Sequence, residues 1–244
     1  MAGHGSRPRP DNAVVRLAAA VAKAGAWRPP LRLNDTTRAY FERLAAISPP
    51  DQAYRYNHIL DPSKAAAIDD YFASSELLHF SMLRTSISPT MIRAGFRSNV
   101  IPSEAEAYLD VRALPDEDME KFRAELDRVI GDPNVEVLPA ARGGRPAGAP
   151  SRLDTAMFRA LESSQRRVYP GAATIPTLLT GATDMAQLRA KGVQAYGFGS
   201  VVEEMDRDRG GPHADDERLA ETSLHKLVEF LWHAVIEVAA APAR

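Results

Sequence analysis

The chain has 244 residues, 45% hydrophobic and 25% charged, proportions that suit one large or two small globular domains and exclude a fibrous or wholly disordered chain. With 30 Lys and Arg against 32 Asp and Glu, the net charge of −2 gives no general attraction to nucleic acid or to an anionic membrane, and no apolar run reaches the ~18–20 residues of a membrane span. Cysteine is absent, which removes disulfide frameworks, thiolate metal sites and cysteine nucleophiles, so any metal must be held by His, Asp or Glu.

Met1 to Pro10 lacks the roughly 7–15 apolar residues of a signal peptide, and the chain reads as starting inside a larger structure. His4 is placed on a strand. Asp11 then caps a helix through Val14, Leu17, Ala18 and Val21, ending near Gly25. Further helices are predicted from Asp35 to Ile47, stopped by Ser48-Pro49-Pro50, from Asp61 to Phe72, and for a turn or two between Ser74 and Phe80. From Met82 to Ile92 the β-branched content rises. Between Ser103 and Val111, Ala105, Ala107, Leu109 and Val111 alternate with polar residues, so these two segments are predicted to pair as antiparallel strands.

A helix from Pro115 through Phe122, Leu126 and Ile130 stops at Gly131, and Val135 to Leu138 reads as a short strand. The order β-α-(helical insert)-β-β-α-β is that of a ferredoxin-like sandwich, with two helices on one face of a four-stranded sheet. After a linker at 140–150 come a helix (Asp154 to Val168), a strand (Ile175 to Leu179), a turn and helix (Gly181 to Lys191), a strand (Val193 to Phe198), a polar loop (Val202 to Pro212) and a last helix from Leu219 to about Ala239. That alternation predicts part of a parallel, doubly wound sheet, although two strands are too few to complete one. The fold class is α/β overall, an α+β lid followed by a partial α/β domain.

Several groups suggest chemistry, each beside a plainer explanation. His213, in a loop leading to a helix start, suits a metal ligand with Asp215 or Glu217 behind it; the loop equally reads as exposed, with acids capping the next helix. In the last helix Glu221, His225, Glu229, His233 and Glu237 recur every fourth residue, which favours a solvated face of Glu–His pairs over a metal site. Its apolar stripe is Leu224, Leu227, Val228, Leu231 and Val235. The turn Thr180-Gly181-Ala182-Thr183-Asp184 suits either a carboxylate or oxyanion at a helix start, or simple capping. Asn99 fits a left-handed turn or a hydrogen-bonding amide, and Arg112 a surface charge or a carboxylate clamp.

The order of five motifs is more specific than any one of them. Gly3-His4-Gly5-Ser6, Asn99-Val100-Ile101-Pro102-Ser103-Glu104-Ala105, Val111-Arg112-Ala113-Leu114-Pro115, Gly181-Ala182-Thr183-Asp184, and His213 with Asp216-Glu217-Arg218 together resemble the second half of the zinc aminoacylase/carboxypeptidase metallopeptidases. That family includes glutamate carboxypeptidase, acetylornithine deacetylase and succinyl-diaminopimelate desuccinylase, and the insert at 28–80 resembles that of its carboxypeptidase S-like members.

The resemblance implies a lid and dimerisation domain over residues 3–141 and the final part of a catalytic domain over 142–244. It implies that His213 ligates one of two zinc ions and that His4 stabilises an oxyanion in the partner's site. Asn99 and Arg112 would bind substrate, Arg112 through a carboxylate, and Gly181, Ala182 and Thr183 would line the pocket. The family's other metal ligands and its Glu general base come from an N-terminal half, and Ala214 stands where the family often has Gly. The chain is therefore expected to be a fragment of a zinc-dependent amidohydrolase or exopeptidase, homodimeric through the lid, acting on a small peptide or N-acyl amino acid. The alternative is a catalytically inactive dimerisation module that pairs with itself or a full-length relative. A cytoplasmic location is expected, without nucleic-acid or membrane partners.

Overall fold

Gly3–His4 form a short strand, β1, and Asn12 caps helix α1 (Ala13–Ala26) by accepting the Val14 N–H at 2.9 Å. Asp11, the expected cap, pairs instead with Arg16 at 2.9 Å. Helix α2 (Asp35–Ala45) starts at Asn34, whose side chain forms a reciprocal capping box with Thr37. Helix α3 (Pro50–Asn57) lies just beyond the predicted stop. A proline at the first helical position lacks an N–H that a helix start leaves unbonded anyway, so the Pro pair ends one helix and begins another.

Helix α4 (Ala65–Ser75) begins later than expected, because Asp61 closes a turn ahead of it by accepting the Ser63 hydroxyl and N–H at 2.6 and 2.9 Å. α5 (Leu77–Met82), β2 (Ser86–Ala94), β3 (Val100–Ile101) and β4 (Ala105–Arg112) follow. α6 (Met119–Ile130) is capped by Asp118 and ends at Gly131, whose φ of 59° is the left-handed turn glycine adopts without strain. The remaining helices are α7 (Ala156–Val168), capped by Thr155, α8 (Met185–Ala190) and α9 (Glu221–Ala239). These elements come from a computed structural model that describes residues 2–139, 146, 148–199 and 214–240. Most of the 140–150 linker and all of the Val202 to Pro212 loop lie outside the described residues.

The chain divides into two compact units that do not follow chain order: Met1–Leu33, His58–Gly148 and Leu179–Ala182 form the first, and Asn34–Asn57, Ala149–Leu178 and Thr183–Arg244 the second. In the first, β1 pairs antiparallel with β3, and β2 with β4. The second ladder shifts register between Pro89 and Met91, where proline cannot donate a ladder hydrogen bond. Along β4, Ala105, Ala107 and Leu109 are half-buried while Glu106 and Tyr108 are exposed, as the alternation predicts.

Ala20 and Ala24 of α1 and Leu126 and Ile130 of α6 close over this ladder, joined by Trp27, Ile87, Leu109, Val135 and Val137. Arg16 holds Asp132 at 2.7 Å, and the Lys23 ammonium donates to the Ile130 carbonyl at 2.5 Å, satisfying an end group of α6. The predicted strand at Val135 to Leu138 is in part corrected. Val135 and Val137 face inward and Glu136 and Leu138 outward, but the segment joins no ladder among the described residues.

Also in the first unit, Arg84 is 2% exposed, ion-paired with Asp69 and stacked 4.2 Å above the Phe80 ring. Burial pushes its guanidinium below its ordinary value against the pull of Asp69.

In the second unit, α7 and α9 pack together around Phe158, Ala160, Phe230 and Ala234, and the Ser164 hydroxyl donates to the Phe230 carbonyl at 3.0 Å. Phe198 stacks on Phe230 with ring centroids 3.8 Å apart. Arg43 of α2 reaches Glu162 at 2.6 Å and the Thr174 carbonyl at 3.0 Å. The strands predicted at Ile175 to Leu179 and Val193 to Phe198 are not formed among the described residues, so the parallel sheet expected here is not seen. Side chains satisfy local backbone groups instead: the Ser151 hydroxyl accepts from the Ala195 N–H at 2.9 Å and donates to its carbonyl at 2.8 Å. Among the described residues no helix is long and apolar enough to cross a membrane.

Candidate functional site

The β1–β3 ladder brings two of the predicted site residues together. His4 lies opposite Val100, and the Gly5 N–H donates to the Asn99 carbonyl at 2.8 Å. A Cβ on Gly5 would sit 3.3 Å from the Asn99 oxygen and 3.4 Å from its carbonyl carbon, so a side chain here would push the two segments apart. Glycine between His4 and Ser6 is what lets the two segments meet.

Both His4 and Asn99 are exposed. Ser6 folds back on the imidazole: its backbone N–H approaches His4 Nδ1 at 3.2 Å and its hydroxyl lies 2.7 Å from the same nitrogen. A backbone N–H can only donate, so Nδ1 accepts and the neutral ring carries its proton on Nε2. That leaves an oriented donor at the outer edge of the ring. Ser6 thereby orients the His4 ring, and a hydroxyl two residues after a histidine is the sequence signal for such a contact.

Arg112 stands at the other end of the second ladder. β2 and β4 pair from Ser86 with Arg112 to Ala94 with Ala105, so Arg112 lies seven residues, about 23 Å of strand, from the end of β4 nearer Asn99. Its guanidinium is half-exposed and donates to Asp110 at 2.7 Å. A substrate carboxylate there would share or displace that partner.

Gly181 and Ala182 are exposed ahead of α8, and the Thr183 hydroxyl accepts the Met185 N–H at 3.3 Å. This is a capping turn, and the strand expected before it is not formed. His213 lies outside the described residues. On α9, His233 Nδ1 accepts from Arg167 at 3.1 Å while Nε2 lies 3.7 Å from Glu229, which matches the solvated-face reading. Among the described residues there is no group of three or more His, Asp or Glu side chains able to hold a metal ion.

Comparison with known proteins bears directly on this arrangement. Residues 1–137 match the M20 peptidase dimerisation domain, and so span both ladders and α6. The chain belongs to the M20 peptidase family. It is 26% identical over 235 residues to the probable carboxypeptidase S-like 2 of Dictyostelium discoideum, a match covering 96% of this chain and 44% of that protein. It is 25% identical to the N-fatty-acyl-amino acid synthase/hydrolase PM20D1 of Xenopus tropicalis, over 93% of this chain and 44% of the relative. Human aminoacylase-1 is 28% identical over 162 residues, 65% of this chain and 38% of the relative. The chain thus spans less than half the length of these M20 proteins and corresponds to their C-terminal half. No solved structure matches. M20 proteins are generally zinc-dependent, and a dimerisation domain points to self-association.

Proposed function

We propose that this chain forms the dimerising lid (residues 3–141) and the closing part of the catalytic domain (142–244) of an M20 hydrolase that cleaves an amide or peptide bond. The substrate class is a small peptide or N-acyl amino acid. The lid is read as a ferredoxin-like sandwich. In support, α1 and α6 cover one face of β2–β4, and Val135 and Val137 extend the same buried cluster.

The observation that carries the reading is the exposed pair His4 and Asn99, locked together by the Gly5–Asn99 backbone bond inside a dimerisation domain. An exposed imidazole with its proton on Nε2 suits hydrogen bonding to the oxygen that becomes negative as an amide carbonyl is attacked. In a homodimer through the lid, His4 of one protomer serves the partner's site. Asn99 binds substrate beside it, and the Arg112 guanidinium grips a carboxylate. Gly181, Ala182 and Thr183 line the pocket, with small side chains that let substrate approach the backbone.

His213 is the zinc ligand this chain would supply. The described residues do not by themselves fit a zinc site, since no three ligating side chains converge among them.

The test has two stages. The chain should sediment as a dimer at micromolar concentration; a monomer across that range overturns the lid assignment. Placed behind the N-terminal half of the Dictyostelium relative, it should hydrolyse N-acyl amino acids. His4→Ala should then lower kcat by about 10²–10³ without dissociating the dimer. Unchanged kcat in His4→Ala removes the oxyanion role.

A further inference from the structure

Phe96, between β2 and β3, is the most exposed large apolar side chain among the described residues, at 81%. An open cavity of about 320 Å³ lies beside it, walled by Val14, Ala94, Val100 and Pro102. That is near the low end of small-molecule pockets (~300–1,000 Å³) and has room for one arm of a ligand. Val100 is the ladder partner of His4, and Asn99 precedes it, so the cavity adjoins both exposed site residues. Arg97 is the charged residue on its wall, and no described residue there is acidic. A single exposed apolar residue is ordinary, but an aromatic ring over a concave apolar wall beside two hydrogen-bonding side chains has the composition of a ligand subsite.

The two substrate classes of the hydrolase reading differ most on the acyl side of the bond that breaks. A dipeptide carries a free ammonium group next to the scissile carbonyl, whereas an N-acyl amino acid carries an uncharged chain. An ammonium group against this wall would lose hydration with no carboxylate to replace it, and Arg97 would repel it. An aliphatic chain gains by leaving water there. The amine side carries the carboxylate, which that reading gives to Arg112 at the other end of the second ladder, and so leaves the cavity to the acyl side. We propose that Phe96 and the cavity beside it form an acyl-side subsite that selects N-acyl amino acids with an apolar acyl group over dipeptides. This rests on the hydrolase reading above and decides between its two substrate classes.

Kinetics on the fusion to the relative's N-terminal half test this. From N-acetylglycine through N-butanoylglycine to N-hexanoylglycine, kcat/KM should rise about two- to fourfold per methylene, with glycylglycine the poorest substrate. Phe96→Ala should flatten that rise, and Phe96→Leu should keep most of it. Arg97→Glu should raise kcat/KM for glycylglycine about two- to fivefold by giving its ammonium group a carboxylate. The unsubstituted chain supplies a readout that needs no activity. With 13C-labelled phenylalanine, the Phe96 ring resonance, identified by its loss in Phe96→Leu, should shift on adding N-hexanoylglycine and stay in place with glycylglycine.

A rise that survives Phe96→Ala, or a Phe96 ring that ignores N-hexanoylglycine, overturns the subsite. So does a Phe96 resonance that moves as the lid dimer is diluted apart, since a second copy of the chain then covers the ring. The two readings fail separately. A fusion that hydrolyses every acyl length and glycylglycine equally well sinks the subsite alone. A Phe96 ring that responds to N-hexanoylglycine in a chain whose fusion is inactive sinks the hydrolase reading alone.

Discussion

The two units treat their amphipathic helices in opposite ways. In the first, α1 and α6 turn their apolar stripes onto β2–β4, and Ala20, Ala24, Leu126 and Ile130 are buried together. In the second, α9 has an equally regular stripe, yet it packs on α7 through Ser223, Phe230 and Ala234 and leaves Leu224, Val228, Leu231 and Val235 outside. Periodicity therefore says that a helix has an apolar face. Which face is buried depends on the surfaces available to meet it.

The sharpest way to break this contrast is to cut into the first unit where burial is complete. Arg84→Ala would leave Asp69 without its buried partner, and urea denaturation should show a loss of about 3 kcal/mol. A loss within experimental error would mean that the pairing is not formed in solution. Leu126→Ala should cost about 2–4 kcal/mol through lost burial and a residual cavity. The same truncation at Leu224 should stay within about 0.5 kcal/mol in the isolated chain. Equal losses at Leu126 and Leu224 would end the distinction between the two units.

Smaller effects refine the same picture. Gly131→Ala places a Cβ on a residue with φ of 59° and should cost about 1 kcal/mol, read as a lower urea midpoint at unchanged slope. At Asp132 the Asn134 backbone N–H, and after it the Arg16 guanidinium, hold the carboxyl below the ordinary aspartate value of 3.8. A lowered folded-state value adds stability above the unfolded pKa and loses it as pH falls through the folded one. Asp132→Asn should thus flatten the decline in stability below about pH 4 and leave the slope near neutrality unchanged. An unchanged acid limb would show that Asp132 is not coupled to folding.

The candidate site was legible to different depths at different residues. His4 and Asn99 were legible only through the order of the five motifs, and the β1–β3 pairing brings them together across nearly a hundred residues of chain. The need for Gly5 was hidden, because a close approach of backbone to Asn99 depends on a distant segment. Arg112 was visible as a strand-end guanidinium, but its Asp110 partner required the strand to form first. α3 is hidden in the sequence because Pro49-Pro50 signals a helix stop, although proline at a first helical turn is also a start.

Local chemistry in the sequence was enough to place α1, α2, α7 and α9 close to their observed ends, while α4 and α6 begin later than their first turn signals suggest, and the alternation along β4 predicted its half-buried face. Capping, glycine at left-handed turns and apolar spacing act within a few residues, so they can be read without a fold. Whether Val135 to Leu138, Ile175 to Leu179 and Val193 to Phe198 became strands was decided only in three dimensions. A strand exists only when a neighbour supplies ladder hydrogen bonds, and at Ala195 the Ser151 side chain took that place. The outward stripe of α9 was likewise a tertiary decision, because a helix buries the face that meets a surface, and here α7 met a different one.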